Sequence, residues 1–150
     1  MMISTKGRYA LRVMVDLAEH PTDEYTPLKE ITDRQQISKE YLNSILKVLV
    51  QAGLLTSLRG KGGGYRLAYE PEDCSVGAIL RTVEGSLAPV PCVLNSEPCP
   101  RSHHCASMPM WIKLDHMIND FFDGISLADL MENDLAGENG KHSEDEEAFC

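Results

Sequence analysis

Cys92, Cys99 and Cys105 fall within one stretch, P-C-V-L-N-S-E-P-C-P-R-S-H-H-C, in a C-x6-C-x5-C spacing. His103 and His104 stand beside the last of them. Thiolate and imidazole together form a ligand supply for zinc or iron. Pro89, Pro91, Pro98 and Pro100 lie in the same stretch. That many prolines exclude a regular helix or a central strand, so the thiols sit on a loop. From the residues alone the loop is open to zinc, to iron or to a disulfide.

A second group of side chains has the chemistry of a nucleic-acid reader. Ser38, Lys39, Glu40, Tyr41, Asn43, Ser44 and Lys47 share a segment with Leu42, Ile45, Leu46 and Leu49. The apolar positions make one helical stripe, and Lys39, Glu40, Asn43, Ser44 and Lys47 take the opposite face. Asn and Ser can bond base edges, and lysines suit phosphates. A solvated surface helix would show the same residue types. The next motif favours DNA: Arg59-Gly60-Lys61-Gly62-Gly63-Gly64 is a glycine-rich turn with two cations. Successive glycines let backbone approach another surface, and Arg59 and Lys61 at such a tip could enter a minor groove. A nucleotide-binding loop is excluded, because no G-x-x-x-x-G-K-[ST] stands between a strand and a helix.

The elements that position these groups are legible from periodicity and caps. Ser4-Thr5 precede Ala10, Leu11, Met14, Val15 and Ala18, one face of a helix ended near His20-Pro21. Thr26-Pro27 offer a cap and a first-turn proline for a second helix through about Gln35. After a short turn Ser38 caps the third helix, closed by Gly53. Leu54–Leu58 and Tyr65–Tyr69 read as strands flanking the glycine turn. Helix, helix, turn, helix and a basic-tipped hairpin make a winged helix-turn-helix. Ser75 starts a fourth helix that ends at Gly85, with Cys74 expected as a plain buried thiol before it. Beyond the cysteine loop, Trp111, Leu114, Ile118, Phe121 and Ile125 are spaced 3, 4, 3, 4, a heptad-like stripe broader than a small domain needs to cover itself. Met2, Met108, Met110 and Met117 are expected to pack. Ser126 and Asp129 resemble a capping box. No internal repeat is present.

The fold class is therefore mainly α with a small β-hairpin wing. Its parts are a winged helix-turn-helix domain over 1–85, a cysteine-rich loop over 86–109, a long helix and a short C-terminal helix over 110–132, and an acidic tail over 133–150 expected to be disordered. The chain has 150 residues and a net charge of −9, which argues against nucleic acid until it is divided. Residues 1–69 hold ten Lys/Arg against seven Asp/Glu, while residues 70–150 hold four against sixteen. A basic head with an acidic tail is compatible with DNA binding through a local patch. No opening apolar run marks a leader, and no stretch approaches the roughly 20 apolar residues of a membrane span. The expected location is the cytoplasm, where thiols stay reduced. An odd cysteine count, five with Cys150, also speaks against a disulfide framework.

S-T-K-G-R-Y-A-L at 4–11, I-S-K-E-Y-L at 37–42, A-G-L-L at 52–55 and R-G-K-G-G-G-Y-R-L at 59–67 resemble the Rrf-type regulators. That family includes the iron–sulfur-cluster regulator IscR, the nitric-oxide sensor NsrR and the cysteine-metabolism regulator CymR. The resemblance covers about residues 1–130. It implies a homodimeric transcription factor that reads a double-stranded DNA operator with the helix after Ser38 and with a wing arginine matching Arg59. It also makes the helix carrying Trp111 to Phe121 the dimerisation helix. In the iron–sulfur branch three loop cysteines hold the cluster, [2Fe–2S] or [4Fe–4S], and Cys92, Cys99 and Cys105 match them. The iron–sulfur assembly machinery is then the implied cluster donor.

The fourth ligand departs from the pattern. Met108 stands where the cluster-biogenesis regulators have a histidine, and Arg8 falls near the acidic ligand of the nitric-oxide sensors. His103, His104, His116 and Asp16 of the partner subunit remain, with an exogenous thiol or water, and His104 is the first choice. Two other controls fit the same DNA reader. One is a zinc site on the three cysteines and a histidine. The other is regulation by a partner protein, as in the cysteine-free CymR branch, which Glu84-Gly85 and Leu87-Ala88-Pro89-Val90 resemble. An enzyme using a Cys/His pair is not expected, because neighbours in sequence rarely hold attack geometry and no orienting group is visible.

Overall fold

Ser4 opens the first helix: its hydroxyl oxygen accepts the Gly7 amide at 3.2 Å and frees the turn that follows to wind. In the computed structural model, which describes residues 2–94, 99–133 and 135, this helix, α1, spans Thr5–Glu19. Ala10, Val13, Met14 and Leu17 recur at i, i+3, i+4 and i+7 and are buried. Helix α2 spans Leu28–Gln35. Pro27, not Thr26, holds its N-cap position, and no side chain caps it. Thr26 is buried instead in an antiparallel bridge with Tyr65, the two exchanging backbone hydrogen bonds of 2.9 Å each. Its backbone is extended for the bridge, so the cap reading yields to sheet pairing.

Gln36 takes the left-handed conformation (φ 53°) and turns the chain into Ser38, which caps α3, Lys39–Gln51. Leu42, Ile45, Leu46 and Leu49 of α3 meet α1 and Ile31 of α2 in the main core. The wing follows. Strand β1, Leu55–Leu58, pairs antiparallel with β2, Gly64–Leu67, in the register Leu55 to Leu67 and Leu58 to Gly64. Both strands are shorter than the pattern implies: Leu54 still donates to Leu49 at the helix end, and Tyr69 lies past the ladder. Gly64 is obligatory, since a Cβ there would overlap the Thr26 carbonyl.

Helix α4, Val76–Glu84, is capped by Ser75 and ends at Gly85. Cys74 is buried in the core, as its apolar neighbours imply. The Ser4 amide and hydroxyl both donate to Glu84 Oε1, at 3.0 and 2.6 Å, joining the start of α1 to the end of α4. Helix α5 spans Met108–Asp123 and α6 spans Leu127–Glu132, opened by the expected capping box of Ser126 and Asp129. Arg81 of α4 pairs with Asp123 and donates to Asn119 at 2.9 Å, pinning α5 against α4.

The heptad stripe on α5 is phased differently from the sequence reading. Ile118 and Phe122 turn inward against Val76, Leu80, Leu87 and Ile125, a second apolar cluster, and Ile125 lies beyond the helix end. Met110, Leu114, Met117 and Phe121, spaced 4, 3, 4, form the exposed seam, with Met117 59% and Phe121 63% exposed. At 3.6 residues per turn two interleaved stripes share one helix, and sequence spacing alone merges them. Met108 is buried as expected, whereas Met2, Met110 and Met117 are not. The tail expected to be disordered, including Cys150, lies outside the described residues apart from Asn133, the C-cap of α6, and Leu135.

Candidate nucleic-acid interface and cysteine loop

The polar face of α3 is open to solvent. Ser38, Lys39, Glu40, Asn43, Ser44 and Lys47 are all exposed. Ser44 donates its hydroxyl to the Tyr41 carbonyl (2.6 Å), which leaves its oxygen able to accept. Tyr41 differs from its neighbours. It is half-buried and meets Tyr9 of α1 edge-to-face, with ring centroids 5.7 Å apart. Its ring is thus a packing element of the helix start.

Arg59 and Lys61 occupy the wing tip, both exposed. Gly60 (φ 89°) and Gly62 (φ 74°) need the left-handed region, and the Gly63 amide closes the tip on the Gly60 carbonyl at 3.0 Å. Between α3 and the wing runs a groove of about 490 Å³ to which Lys47, Gln51, Ser57 and Arg59 contribute. The structure therefore brings the C-terminal half of the candidate helix and the wing arginine to one basic concavity. Such an arrangement suits a polyanion.

Two short 3-10 turns shape the cysteine loop. Cys92 lies in Pro91–Val93, packed against α5, and His103 and His104 lie in Ser102–His104. Cys92 is exposed, Cys99 and Cys105 are partly so, and none of the four described cysteines is in a disulfide. Cys105 Sγ lies 3.2 Å from Ser107 Oγ. Hydrogen bonds from the Ser107 side chain and backbone, with smaller help from the Met108 amide and the Arg101 charge, hold this thiol below its ordinary pKa. Burial pushes the Cys74 thiol the other way.

Among the described residues no three His, Cys, Asp or Glu side chains converge as a metal site. The donor set nevertheless fits a thiolate-bound metal: three thiols on one loop, unpaired, with Cys105 biased toward the ligating anion. His103, His104 and His116 are exposed. Asp16 is not available as a ligand. It is buried, and its carboxylate is already bound by Arg34 of α2 at 2.8 Å. Arg8, on the first turn of α1, donates to Thr5 Oγ1 at 3.0 Å.

Asp16, a candidate ligand by sequence, is instead a buried, paired acid of the fold. An acid between Val13, Met14 and Leu17 interrupts an apolar face, and that interruption is the signal that it must be paired. Burial pushes its carboxyl up, but hydrogen bonds from Arg34 and Gln35, and the charges of Arg34 and His20, outweigh this and hold it below the usual range. A depressed pKa means a contribution present above the unfolded value of about 4 and lost as pH falls through the folded one. In denaturant unfolding, the stability lead of the parent over Asp16→Asn is expected to be flat from about pH 7 to 5 and to shrink toward about pH 3. A lead that does not change with pH would mean that the carboxylate is not held ionised.

Among the described residues no helix is long and apolar enough to cross a membrane. The family profile Rrf2, described as an iron-dependent transcriptional regulator, matches residues 3–133. The chain is 40% identical over 131 residues to the HTH-type transcriptional regulator IscR of Aliivibrio salmonicida, a match covering 87% of this chain and 77% of that one. It is similar in structure to CymR (YrzC), the global cysteine regulator of B. subtilis, with 36% identity, a TM-score of 0.70 and coverage of 89% and 98% of the two chains. It is also similar to T. potens IscR, with 33% identity, a TM-score of 0.69 and coverage of 95% and 94%.

Proposed function

Because the chain belongs to the Rrf2 family of DNA-binding transcriptional regulators, we propose that it is a homodimeric repressor whose operator affinity is set by an iron–sulfur cluster held by Cys92, Cys99 and Cys105. The observation that carries this reading is the three unpaired thiols of one loop, at C-x6-C-x5-C, with Cys105 biased toward thiolate. When bound, the cluster supplies an iron centre responsive to iron supply and oxidation. The residues around the loop supply the coupling. A cluster held there would tie the Pro91–Val93 turn to Cys105, just before α5; α5 is pinned to α4 through Arg81; and α4 is joined to α1 through Glu84 and Ser4. Loading of the loop would then bias the disposition of the reading head by about 1–3 kcal/mol, the usual size of such couplings. His104 is the proposed fourth ligand, and the iron–sulfur assembly machinery the proposed donor.

On DNA, α3 enters the major groove. Asn43 and Ser44 face base edges, Ser38, Glu40 and Tyr41 set the N-terminal end, and Lys39 and Lys47 take phosphates. Arg59 and Lys61 reach a minor groove from the wing. Arg59→Ala is expected to weaken specific binding by about 1–3 kcal/mol with the dimer intact, measured at fixed salt. Unchanged affinity would remove the wing from the interface. Lys39→Ala and Lys47→Ala are each expected to lower the slope of log affinity against log salt by about 1. An identical slope would contradict phosphate contacts.

The deciding experiment is purification under nitrogen, followed by visible absorbance and by iron and sulfide analysis. A brown protein with iron and acid-labile sulfide supports the cluster. A colourless, iron-free protein overturns it and leaves two second readings: zinc on the same thiols, or control by a protein partner. The likeness to CymR favours the last of these, and it would leave regulation indifferent to the cysteines.

A further inference from the structure

Burying a lone carboxylate is costly, so Asp16, 2% exposed on the core side of α1, has to be held by donors. Its side-chain hydrogen bonds all come from one place, with His20 Nδ1 more distant at 3.8 Å from Oδ1. Arg34 Nε lies 2.9 Å from Oδ1 and 3.1 Å from Oδ2, Arg34 Nη2 lies 2.8 Å from Oδ2, and Gln35 Nε2 lies 2.8 Å from Oδ1. Arg34 and Gln35 are the last two residues of α2. Directly after them come left-handed Gln36, buried Ile37 and the α3 cap Ser38. The elbow of the helix-turn-helix thus hangs on one carboxylate.

Arg12, one turn earlier on α1, grips the same elbow. Its Nε donates to Gln35 Oε1 (3.2 Å) and its Nη2 to the Gln35 carbonyl (2.5 Å). The same guanidinium lies over the Tyr9 ring, 5.0 Å from its centroid, and Tyr9 packs edge-on against Tyr41 in the first turn of α3. So α1 holds the elbow from both sides, at the end of α2 and at the start of α3. The wing is tied separately, through the Thr26–Tyr65 bridge, to the chain between α1 and α2. Strand β2 also packs on α1, so one helix is the common reference for both candidate reading elements.

Buried ion pairs often add little net stability over apolar side chains of similar volume, and their best-attested use is to fix geometry. We propose that Asp16, acting through Arg34 and Gln35, is a positioning residue for DNA recognition that sets the angle at which α3 is presented relative to the wing. The inference rests on α3 being the reading helix. A small tilt of α3 carries the short side chains Asn43 and Ser44 away from base edges. Lys39 and Lys47, on long stems, keep their phosphates. Discrimination therefore falls before overall affinity does.

The test compares binding to a duplex selected by the parent chain from a random-sequence library with binding to a scrambled duplex of equal composition. Three variants are needed: Gln35→Met, which keeps the length of the side chain and leaves Arg34 on Asp16; Asp16→Leu combined with Arg34→Met, which replaces the ion pair by apolar side chains; and Asn43→Ala, which probes α3 directly. The specific-to-scrambled ratio is expected to fall about fivefold in Gln35→Met and about tenfold or more in the double variant. Scrambled-duplex affinity, salt slope and melting temperature should stay at parental values, an outcome that a merely structural role would not produce. A folded double variant with the parental ratio overturns the proposal. If the double variant does not fold, an unchanged ratio in Gln35→Met overturns it equally. An unchanged ratio in Asn43→Ala overturns α3 as reader and the positioning role with it. A lowered ratio in Asn43→Ala with parental values elsewhere overturns the positioning role alone.

Discussion

Serine at Cys92, Cys99 and Cys105 together is expected to yield a colourless, iron-free protein that folds, and whose affinity for its selected duplex no longer depends on iron supply. None of the three thiols belongs to either apolar cluster, Cys92 is exposed, and Cys99 and Cys105 are partly so. Exposed substitutions away from packing are worth within about 0.5 kcal/mol, so unfolding does not confound the result. The effect appears in regulation instead. A coupling of about 1–3 kcal/mol corresponds to a 5- to 150-fold difference in DNA affinity between loaded and unloaded protein, and that difference should collapse to unity. The measurement is DNA affinity with iron supplied and with iron chelated, beside anaerobic absorbance spectra. A triple variant that still answers to iron would move the sensor away from this loop.

On the proposed homodimer, glutamate at both Met117 and Phe121 is expected to leave the chain monomeric at concentrations where the parent associates. The seam of Met110, Leu114, Met117 and Phe121 is exposed in the single chain, so changing these tips removes no buried side chain and costs the monomer only the edge-to-face contact of Phe121 with Phe122. In a two-fold dimer each position counts twice, because an isologous interface repeats every contact. Burying each such side chain is worth about 1.5–3 kcal/mol, and replacing two per chain would set four carboxylates in a desolvated seam. Sedimentation equilibrium reads the outcome. An unshifted mass would mean that α5 is not the dimer contact. The monomer should also lose the cooperative reading of paired half-sites.

Most of the reading head was legible in advance because its signals are local. Ser4, Ser38, Ser75 and Ser126 each announce a helix start, and each caps one. The glycine run announces the wing turn. What escaped depends on contacts between distant parts of the chain. Thr26 looks like a cap, yet it pairs with Tyr65, thirty-nine positions on by its number. The α5 stripe has the correct period but an undecidable phase, since the inner and outer seams differ by one residue and only the docking of Ile118 and Phe122 on the second cluster chooses between them. Asp16 was weighed as a metal ligand, because nothing local says that Arg34 and Gln35 will fold back onto it. For the cysteine loop, composition supplies the candidate ligands, but spacing cannot state where Cys92, Cys99 and Cys105 stand relative to one another.

The bridge between Ser75 and Ser126 has a topological consequence. Val76 donates to the Ile125 carbonyl at 2.8 Å and Leu127 to the Cys74 carbonyl at 2.9 Å. The backbone between these points, with α4, the cysteine loop and α5, forms a ring closed at its base, and α6 continues on the far side of the knot. The entropy of closing a flexible ring grows only with the logarithm of its circumference, so even a doubling costs only about 0.6 kcal/mol. Residues inserted into or removed from the cysteine loop change the circumference while both ends stay pinned. The spacing of Cys92, Cys99 and Cys105 is therefore a quantity that insertion or deletion can change at little entropic cost to the helices at either end.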